Sequence, residues 1–179
     1  LMARFTVLGG TGFIGAHLAR HLRACGDDVS RPGREASLNG ELGHVVYAIG
    51  LTADFRSRPY ATIEAHVSRL TRILERTRFE SLLYLSSTRV YARSSSASED
   101  STLSVDPRDP EDLYQLSKLT GESLCLNYRM TSVRVARLSN VFGPPIEGAG
   151  MHPESLLPGL MRSAIADRRV RLRSAPHLR

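Results

Sequence analysis

The sequence has few cysteines, no tryptophan and no long apolar run, and each absence excludes a class of protein. Its two cysteines, Cys25 and Cys125, lie in predicted helices without metal-ligand spacing, which argues against a zinc site and a disulfide framework. No apolar stretch approaches the ~18 residues of a membrane span, and no signal-peptide pattern is present. Because 41% of the 179 residues are hydrophobic, one sizeable core can form. We expect a cytoplasmic protein without a membrane or metal partner.

The positive charge of the chain is large but dispersed. The formal net charge is +6 and the sequence pI is about 9.9, which would suit a nucleic-acid surface. Dense basic runs occur only at 72–78 and 168–173, and few aromatic side chains are interleaved with them for base stacking. This pattern disfavours nucleic acid as the partner.

Lysine is nearly absent, since Lys118 is the only one among 24 basic residues. It follows Tyr114 by four positions, and residues four apart share one face of a helix. An ammonium beside the phenol would favour the ionised form and lower the tyrosine pKa, which would suit proton transfer near neutral pH. The alternative interpretation is an ordinary solvated helical pair.

A glycine-rich turn stands between a predicted strand, Phe5–Leu8, and a predicted helix. Glycines at the start of such a turn let the backbone approach a pyrophosphate, the last one lets the helix pack closely on the strand, and the first amides of the helix point at the anion. The residues predicted to bind a cofactor here are Gly9, Gly12, Phe13, Ile14 and Gly15. An ordinary tight turn is the alternative, but so many glycines are costly in backbone entropy.

Three consecutive hydroxyl residues, Ser86, Ser87 and Thr88, follow the apolar run 82–85. A buried strand would deliver them at its carboxyl end, where open parallel sheets bind their ligands. A serine cluster at such a place is commonly only a turn or a helix cap. With the glycine turn and the Tyr114/Lys118 helix, however, the hydroxyls can converge on one crevice.

Predicted strands and helices alternate along the chain, which favours an α/β fold of Rossmann type with a doubly wound parallel sheet. The third predicted strand ends at Ile49 and Gly50, which we place in the cofactor crevice. The segment between Arg34 and His44 is too short for the usual helix and strand of a complete dinucleotide-binding unit. The predicted strands are 4–8, 28–32, 44–50, 81–86, 132–138 and 169–173, and the predicted helices are 13–25, 62–77, 111–129 and 154–166.

Together these motifs resemble the short-chain dehydrogenase/reductase superfamily, and specifically its extended branch of nucleotide-sugar epimerases and dehydratases. The resemblance rests on the string 9–15, on Ser87-x-x-Val90-Tyr91, on Tyr114-x-x-x-Lys118 and on the string 137–144. It implies a nucleotide-sugar substrate and a catalytic set of Ser87, Tyr114 and Lys118. In it Tyr114 is the acid/base, Ser87 binds the reacting sugar oxygen, and Lys118 holds the nicotinamide ribose. Thr88 and Asn140 would lie near the substrate.

The choice of cofactor depends on the end of the second strand, where an acidic residue would bind the adenosine ribose of NAD. Gly33 occupies that position, with Arg34 after it and Arg31 nearby. Arginine suits a ribose 2′-phosphate through charge-assisted hydrogen bonds. We therefore predict a preference for NADP, with NAD as the alternative, and place both arginines in the cofactor site.

Two departures from the resemblance bear on the reaction. Related dehydratases place Asp-Glu directly after the catalytic hydroxyl, whereas this chain has Thr88-Arg89, so 4,6-dehydration is disfavoured. Epimerisation and net oxidation or reduction remain open. His66 stands where the resemblance suggests asparagine, and we interpret it as a polar residue near the cofactor crevice or as a core or helix-surface histidine.

The resemblance also sets expectations about domains and assembly. Residues 1–150 correspond to the NAD(P)-binding domain and 151–179 to the start of a substrate-binding region that this chain largely lacks. A non-catalytic NAD(P)-binding regulatory protein is therefore the alternative function. Members of the branch often dimerise, and the helices 62–77 and 111–129 would form that homodimer here.

Overall fold

The computed structural model describes residues 2–38, 40–51, 54–144, 146 and 156–169. Its strands are β1 (Arg4–Leu8), β2 (Asp28–Ser30), β3 (His44–Tyr47), β4 (Ser81–Ser87) and β5 (Ser132–Leu138). Its α-helices are α1 (Phe13–Ala24), α2 (Pro59–Ile63), α3 (Arg69–Arg76), α4 (Leu113–Leu126) and α5 (Leu156–Asp167). A π-helical turn, Glu64–Ser68, joins α2 to α3, and 3₁₀ turns span Thr88–Tyr91 and Pro110–Asp112.

The five strands form one parallel sheet in the order β2-β1-β3-β4-β5, which confirms the predicted doubly wound fold. The abbreviated segment before His44 has a direct consequence for the sheet. Its described part holds turns and one isolated bridge, from Glu41 to Arg78, so β2 lies at the sheet edge. Strand order reverses between β1 and β3, the place where open α/β sheets form a ligand crevice.

Two predicted strands end two to three residues earlier in the structure, and one further predicted strand is almost entirely undescribed. The second and third strands end at Ser30 and Tyr47, so Arg31, Ile49 and Gly50 leave the sheet and enter the loops above its carboxyl edge. Pro32 has no amide hydrogen for a strand ladder, which fits the early end of β2. The predicted strand 169–173 lies outside the described residues except for Arg169, which is not in a strand.

Alternating side chains of the strands build an apolar core on each face of the sheet. On one face, residues of β3 and β4 pack with α3 and α4; this cluster includes Val45, Tyr47, Leu70, Ile73, Leu82, Tyr84 and Cys125. On the other face, α1 covers the sheet; this cluster includes Val7, Ala19, Val29, Val46 and Leu85. The two cores fix the orientation of α1 and α4 above the crevice. No helix in the described ranges is long and apolar enough to cross a membrane.

The predicted continuous helix 62–77 starts at Pro59 and is interrupted by the π-turn Glu64–Ser68. A π-turn disturbs the regular pairing of carbonyls, and two buried tyrosines supply donors. The Tyr47 hydroxyl donates to the carbonyl of Ala65 at 2.6 Å, and the Tyr84 hydroxyl to that of His66 at 3.4 Å. Gly121 on α4 makes room, because a Cβ there would lie 2.3 Å from the Tyr84 oxygen. The π-turn is thus built into the core and holds His66 beside α4.

Candidate active site

The glycine turn is shaped by close backbone contacts that leave no space for side chains. Gly9 has a φ of +80°, and a Cβ on it would lie 2.7 Å from the carbonyl oxygen of Ala48. A Cβ on Gly15 would lie 2.3 Å from the oxygen of Gly9. Gly15 therefore packs α1 against the turn itself. The sequence predicted this close contact between the helix and the strand. The amide of Gly12 closes the turn by donating to Gly9 at 2.9 Å.

Gly12 faces open space at the start of α1. A Cβ on Gly12 would meet only the oxygen of Gly9, at 3.3 Å, and no side chain caps the helix. The first turn of α1, which contains Phe13 and Ile14, carries no acidic residue. The positive dipole end of a helix beside a glycine fits a pyrophosphate. The turn is thus suited to the phosphates of a dinucleotide cofactor.

Arg31 and Arg34 lie on the same side of the crevice but in different surroundings. The Arg31 guanidinium donates to the carbonyl of Gly10 at 3.2 Å, so this side chain crosses the glycine turn. Arg34 lines a cavity of about 490 Å³ between residues 34–38 and the helices α2 and α3. Ile49 and Gly50 also line this cavity, as do four further arginines: Arg58, Arg69, Arg72 and Arg76. The cavity is rich in positive charge, and it reaches Gly50, which lies beside the Lys118 ammonium.

Ser87, Tyr114 and Lys118 meet at the carboxyl end of β4. Ser87 is the last residue of that strand, and its hydroxyl accepts the amide hydrogen of Arg89 at 3.2 Å. Tyr114 and Lys118 lie one turn apart near the start of α4, and each side chain is almost fully buried. Ser87 is close enough to the Tyr114 phenol for its hydroxyl to lower the pKa of that phenol. A hydroxyl, a phenol and an ammonium thus surround one point of the crevice.

The electrostatics of Tyr114 differ from the prediction. Burial raises the pKa of its phenol, while the hydrogen bond from Ser87 and the charge of Arg89 lower it less strongly. Lys118 is not among the groups that shift this pKa, and its ammonium donates to the carbonyl of Leu85 at 2.9 Å. The predicted depression of the Tyr114 pKa by Lys118 is therefore not found.

Lys118 faces the cofactor side of the crevice. Its Nζ lies 3.6 Å from the place that a Cβ on Gly50 would occupy. Burial lowers the Lys118 pKa to about 8, against the opposing effect of Glu122. The contact with Gly50 gives a physical reason for glycine at that position, since a side chain would press on the ammonium and on His66.

His66 links the crevice loop to the helix that carries Tyr114. It is fully buried, and its Nε2 accepts the amide hydrogen of Leu51 at 3.1 Å. Nδ1 must then carry the proton and donate to the Ser117 hydroxyl at 2.7 Å, which in turn donates to the carbonyl of Tyr114 at 2.8 Å. Burial and the charge of Lys118 lower the His66 pKa to about 3, so the ring is neutral. Because His66 is buried, it is not a helix-surface histidine, and its bond to Leu51 places it beside the crevice loop.

Two parts of the site were missed in the sequence. In the sequence, Arg89 served only as a departure from the Asp-Glu pair of dehydratases. Its guanidinium carbon lies 4.8 Å from the centre of the Tyr114 ring and 5.2 Å from that of Phe55. Its side chain makes no hydrogen bond or ion pair with another described residue. Glu122 was not considered either. Its position four residues after Lys118 was the available signal.

Glu122 forms a buried ion pair beneath the site. The Arg137 guanidinium donates to Glu122 at 2.7 Å, and the Ser86 hydroxyl donates to the same carboxylate at 2.5 Å. Arg137 also donates to the hydroxyl of Tyr91 at 2.6 Å. These bonds join the ends of β4 and β5 to α4, and they fix the frame that carries Ser87 and Lys118.

The predicted substrate residues lie at the open side of the crevice. Thr88 is exposed in the 3₁₀ turn after Ser87, and Asn140 is exposed two residues beyond β5. Among the described residues, neither side chain bonds to Ser87, Tyr114 or Lys118. The structure therefore brings together the glycine turn and the three catalytic candidates, and leaves Thr88 and Asn140 at the rim.

Several solved structures share this fold. The UDP-glucuronic acid 4-epimerase from Bacillus cereus in complex with NAD matches with a TM-score of 0.70 and 18% identity over 92% of this chain and 63% of that one. TunA, an NAD-dependent NDP-hexosamine 5,6-dehydratase of tunicamycin biosynthesis, matches with 0.69 and 23% identity over 92% and 62%. RMD from Pseudomonas aeruginosa, complexed with NADPH, matches with 0.61 and 27% identity over 78% and 55%.

Two further findings define the relationship. The chain spans about three fifths of the length of those structures, and no curated protein sequence matches it. The sequence profile of the NAD dependent epimerase/dehydratase family matches residues 5–175, which include the glycine turn and all three catalytic candidates. The chain therefore belongs to the NAD-dependent epimerase/dehydratase family.

Proposed function

We propose that this protein is an NAD(P)-dependent oxidoreductase or epimerase that acts on a nucleotide-linked sugar through Ser87, Tyr114 and Lys118. The observation that carries the proposal is the meeting of these three side chains at the same sheet edge as the open glycine turn. A sugar placed there would contact the hydroxyl and the phenol. A dinucleotide on the turn of α1 would reach the same point from the other side.

Each residue has a role that follows from its surroundings. Tyr114, as its phenolate, takes the proton of a sugar hydroxyl as the carbon–oxygen bond becomes a carbonyl, and the resulting phenol returns it when the carbonyl is reduced. Ser87, beside the Tyr114 phenol, donates its one hydroxyl hydrogen to the same sugar oxygen. Lys118, fixed on Leu85 beside Gly50, holds the ribose of the cofactor. The nicotinamide, when bound, supplies the acceptor and donor of the hydride.

The same set serves epimerisation and net redox chemistry, and the residues after Ser87 argue against 4,6-dehydration. Thr88 carries no carboxylate, and an arginine keeps its proton at any physiological pH, so neither can exchange protons as an Asp-Glu pair would. In epimerisation the hydride returns to the opposite face of the same sugar. In net redox chemistry the cofactor leaves in its changed state.

We place the cofactor in residues 1–150 and expect NADP to bind more tightly than NAD. No acidic side chain stands among residues 31–34, directly after β2, to accept the hydrogen of a ribose 2′-hydroxyl. Arg31 crosses the glycine turn and Arg34 lines the arginine-rich cavity, which supports a 2′-phosphate at this end of the crevice. Residues 151–179 would begin the substrate-binding region.

The proposal is tested in two steps with the purified protein. In the first, NADPH and NADH are titrated by fluorescence into the native chain and into Gly12→Val, whose side chain would fill the space before α1. We expect micromolar binding of NADPH, weaker binding of NADH and loss of both in the variant. Equal binding by the variant would mean that the cofactor site is misplaced.

In the second step, UDP-glucuronic acid and UDP-glucose are incubated with protein and cofactor, and the products are separated by chromatography. Conversion that Tyr114→Phe abolishes would support the assigned chemistry. Cofactor binding without conversion of any sugar nucleotide would favour the alternative, a non-catalytic NAD(P)-binding protein. Conversion that survives in Tyr114→Phe would remove Tyr114 from the mechanism.

A further inference from the structure

The side chain of Arg89 is a cation at the reacting centre without an anionic partner among the described residues. Its guanidinium lies against two aromatic faces, those of Phe55 and Tyr114, whose ring centres are 5.6 Å apart. The backbone amide of Arg89 donates to the Ser87 hydroxyl, so one turn carries both the hydroxyl and the cation. The arginine is thereby held beside the two groups that would contact the sugar.

The carboxylates around Arg89 are already engaged by other arginines. Glu111, whose pKa the charge of Arg89 helps to lower, pairs with Arg56. Asp112 pairs with Arg93 through Nε at 2.5 Å. Glu111, the acid on which Arg89 acts, is thus paired with another arginine, and the side chain of Arg89 is exposed.

We propose that Arg89 is a specificity-determining residue that binds a carboxylate carried by the sugar ring of the substrate. This inference rests on the proposed function. A sugar whose reacting oxygen meets Ser87 and Tyr114 brings the substituents of the adjoining carbons next to the guanidinium. A guanidinium is a planar fork that matches a carboxylate with two parallel hydrogen bonds, and the aromatic faces keep that plane in place.

The diphosphate of the nucleotide is the other anion that such a substrate contains. It lies outside the sugar ring, away from the oxygen held by Tyr114, whereas a ring carboxylate lies one or two bonds from the reacting carbon. A bond to the diphosphate would strengthen binding of every sugar nucleotide alike. A bond to a ring carboxylate would strengthen binding of acidic sugars only, and this difference separates the two sources.

The experiment is a calorimetric titration of UDP-glucuronic acid and UDP-glucose into the protein with NADP, repeated with Arg89→Gln, Arg89→Lys and Arg129→Gln. Arg129 is an exposed arginine beyond the far end of α4, roughly 20 Å from Tyr114 along the helix, and serves as the matched control. Because charge-assisted bonds are lost, Arg89→Gln should weaken the acidic ligand roughly 10- to 100-fold and the neutral one only slightly. Arg89→Lys should restore part of the loss, and Arg129→Gln should change neither.

Four results would overturn the inference. The first is equal binding of both ligands by the native protein. The second is an equal weakening of both ligands in Arg89→Gln, which would mean that the guanidinium binds the diphosphate. The third is a loss of affinity in Arg89→Gln that Arg129→Gln matches, which would mean that the loss comes from the net charge of the chain. Failure of every sugar nucleotide to bind would overturn the proposed function and this inference with it, whereas an equal loss for both ligands would leave the proposed function intact.

Discussion

The two sides of the crevice are built by different means. On the cofactor side, Gly9 and Gly15 are set by backbone contacts so close that only hydrogen fits at these two positions. On the substrate side, Tyr114 is set by burial, and its pKa follows from what surrounds it rather than from its spacing to Lys118. A site formed by backbone contacts can be recognised from the spacing of glycines in the sequence. The pKa values of a catalytic site depend on residues that are distant in sequence but close in space.

The largest expected effect tests the substrate side. Tyr114→Phe removes the proton-transferring oxygen and keeps the ring between His66 and Phe55, so turnover should fall roughly 10²- to 10⁴-fold with NADPH affinity unchanged. Tyr60→Phe, at a position 89% exposed, is the control and should retain full activity. Steady-state rates and cofactor titrations check both. A Tyr114→Phe enzyme with native kcat would end the assigned mechanism.

The contrast explains what the sequence could predict. The five described strands, the helices and the glycine turn follow from hydrophobic periodicity and from glycine placement, and the structure contains them with small boundary shifts. The π-turn at 64–68 left no local signal, because its carbonyls are paired by tyrosines from β3 and β4, distant in sequence. Likewise, the spacing of Tyr114 and Lys118 suggested a phenol–ammonium pair, but Leu85 takes the ammonium.

Lys118 provides the next effect, on stability. Its pKa is about 8 in the fold against 10.5 for a free lysine, so the unfolded chain binds more protons between these values. Stability due to this group is complete above pH 10.5 and is lost as pH falls to 8, a change of about 3 kcal/mol. The free energy of unfolding of the native protein, relative to that of Lys118→Met, should therefore increase by that amount as pH rises from 8 to 10.5. Urea unfolding of both proteins measures this difference. A constant difference would show that the ammonium is not desolvated.

Gly15 tests the cofactor side by the same measurement. Gly15→Ala places a methyl group 2.3 Å from the oxygen of Gly9, and overpacking at such a contact should cost about 1–3 kcal/mol of unfolding free energy. Gly33→Ala is the matched control, because a Cβ there meets nothing within 4 Å and should leave stability within about 0.5 kcal/mol. If both variants unfolded at the same urea concentration as the native chain, the close helix–turn contact would be disproved.

The smallest expected effect is a shift in the pKa of Tyr114. It tests whether the charge of Arg89 or that of Lys118 lowers this pKa. In the structure the charge that lowers the pKa of this phenol belongs to Arg89, while Lys118 is held by the backbone of β4. Arg89→Gln should therefore move the ionisation of Tyr114 to higher pH, and Arg89→Lys should leave it nearer the native position. Phenolate absorbance recorded against Tyr114→Phe isolates this residue from the other five tyrosines. Because activity that needs the phenolate rises with pH up to the tyrosine pKa, the rising limb of the pH–rate profile should shift in the same direction. A shift caused by Lys118→Met but not by Arg89→Gln would reverse the assignment and restore the pairing that the sequence suggested.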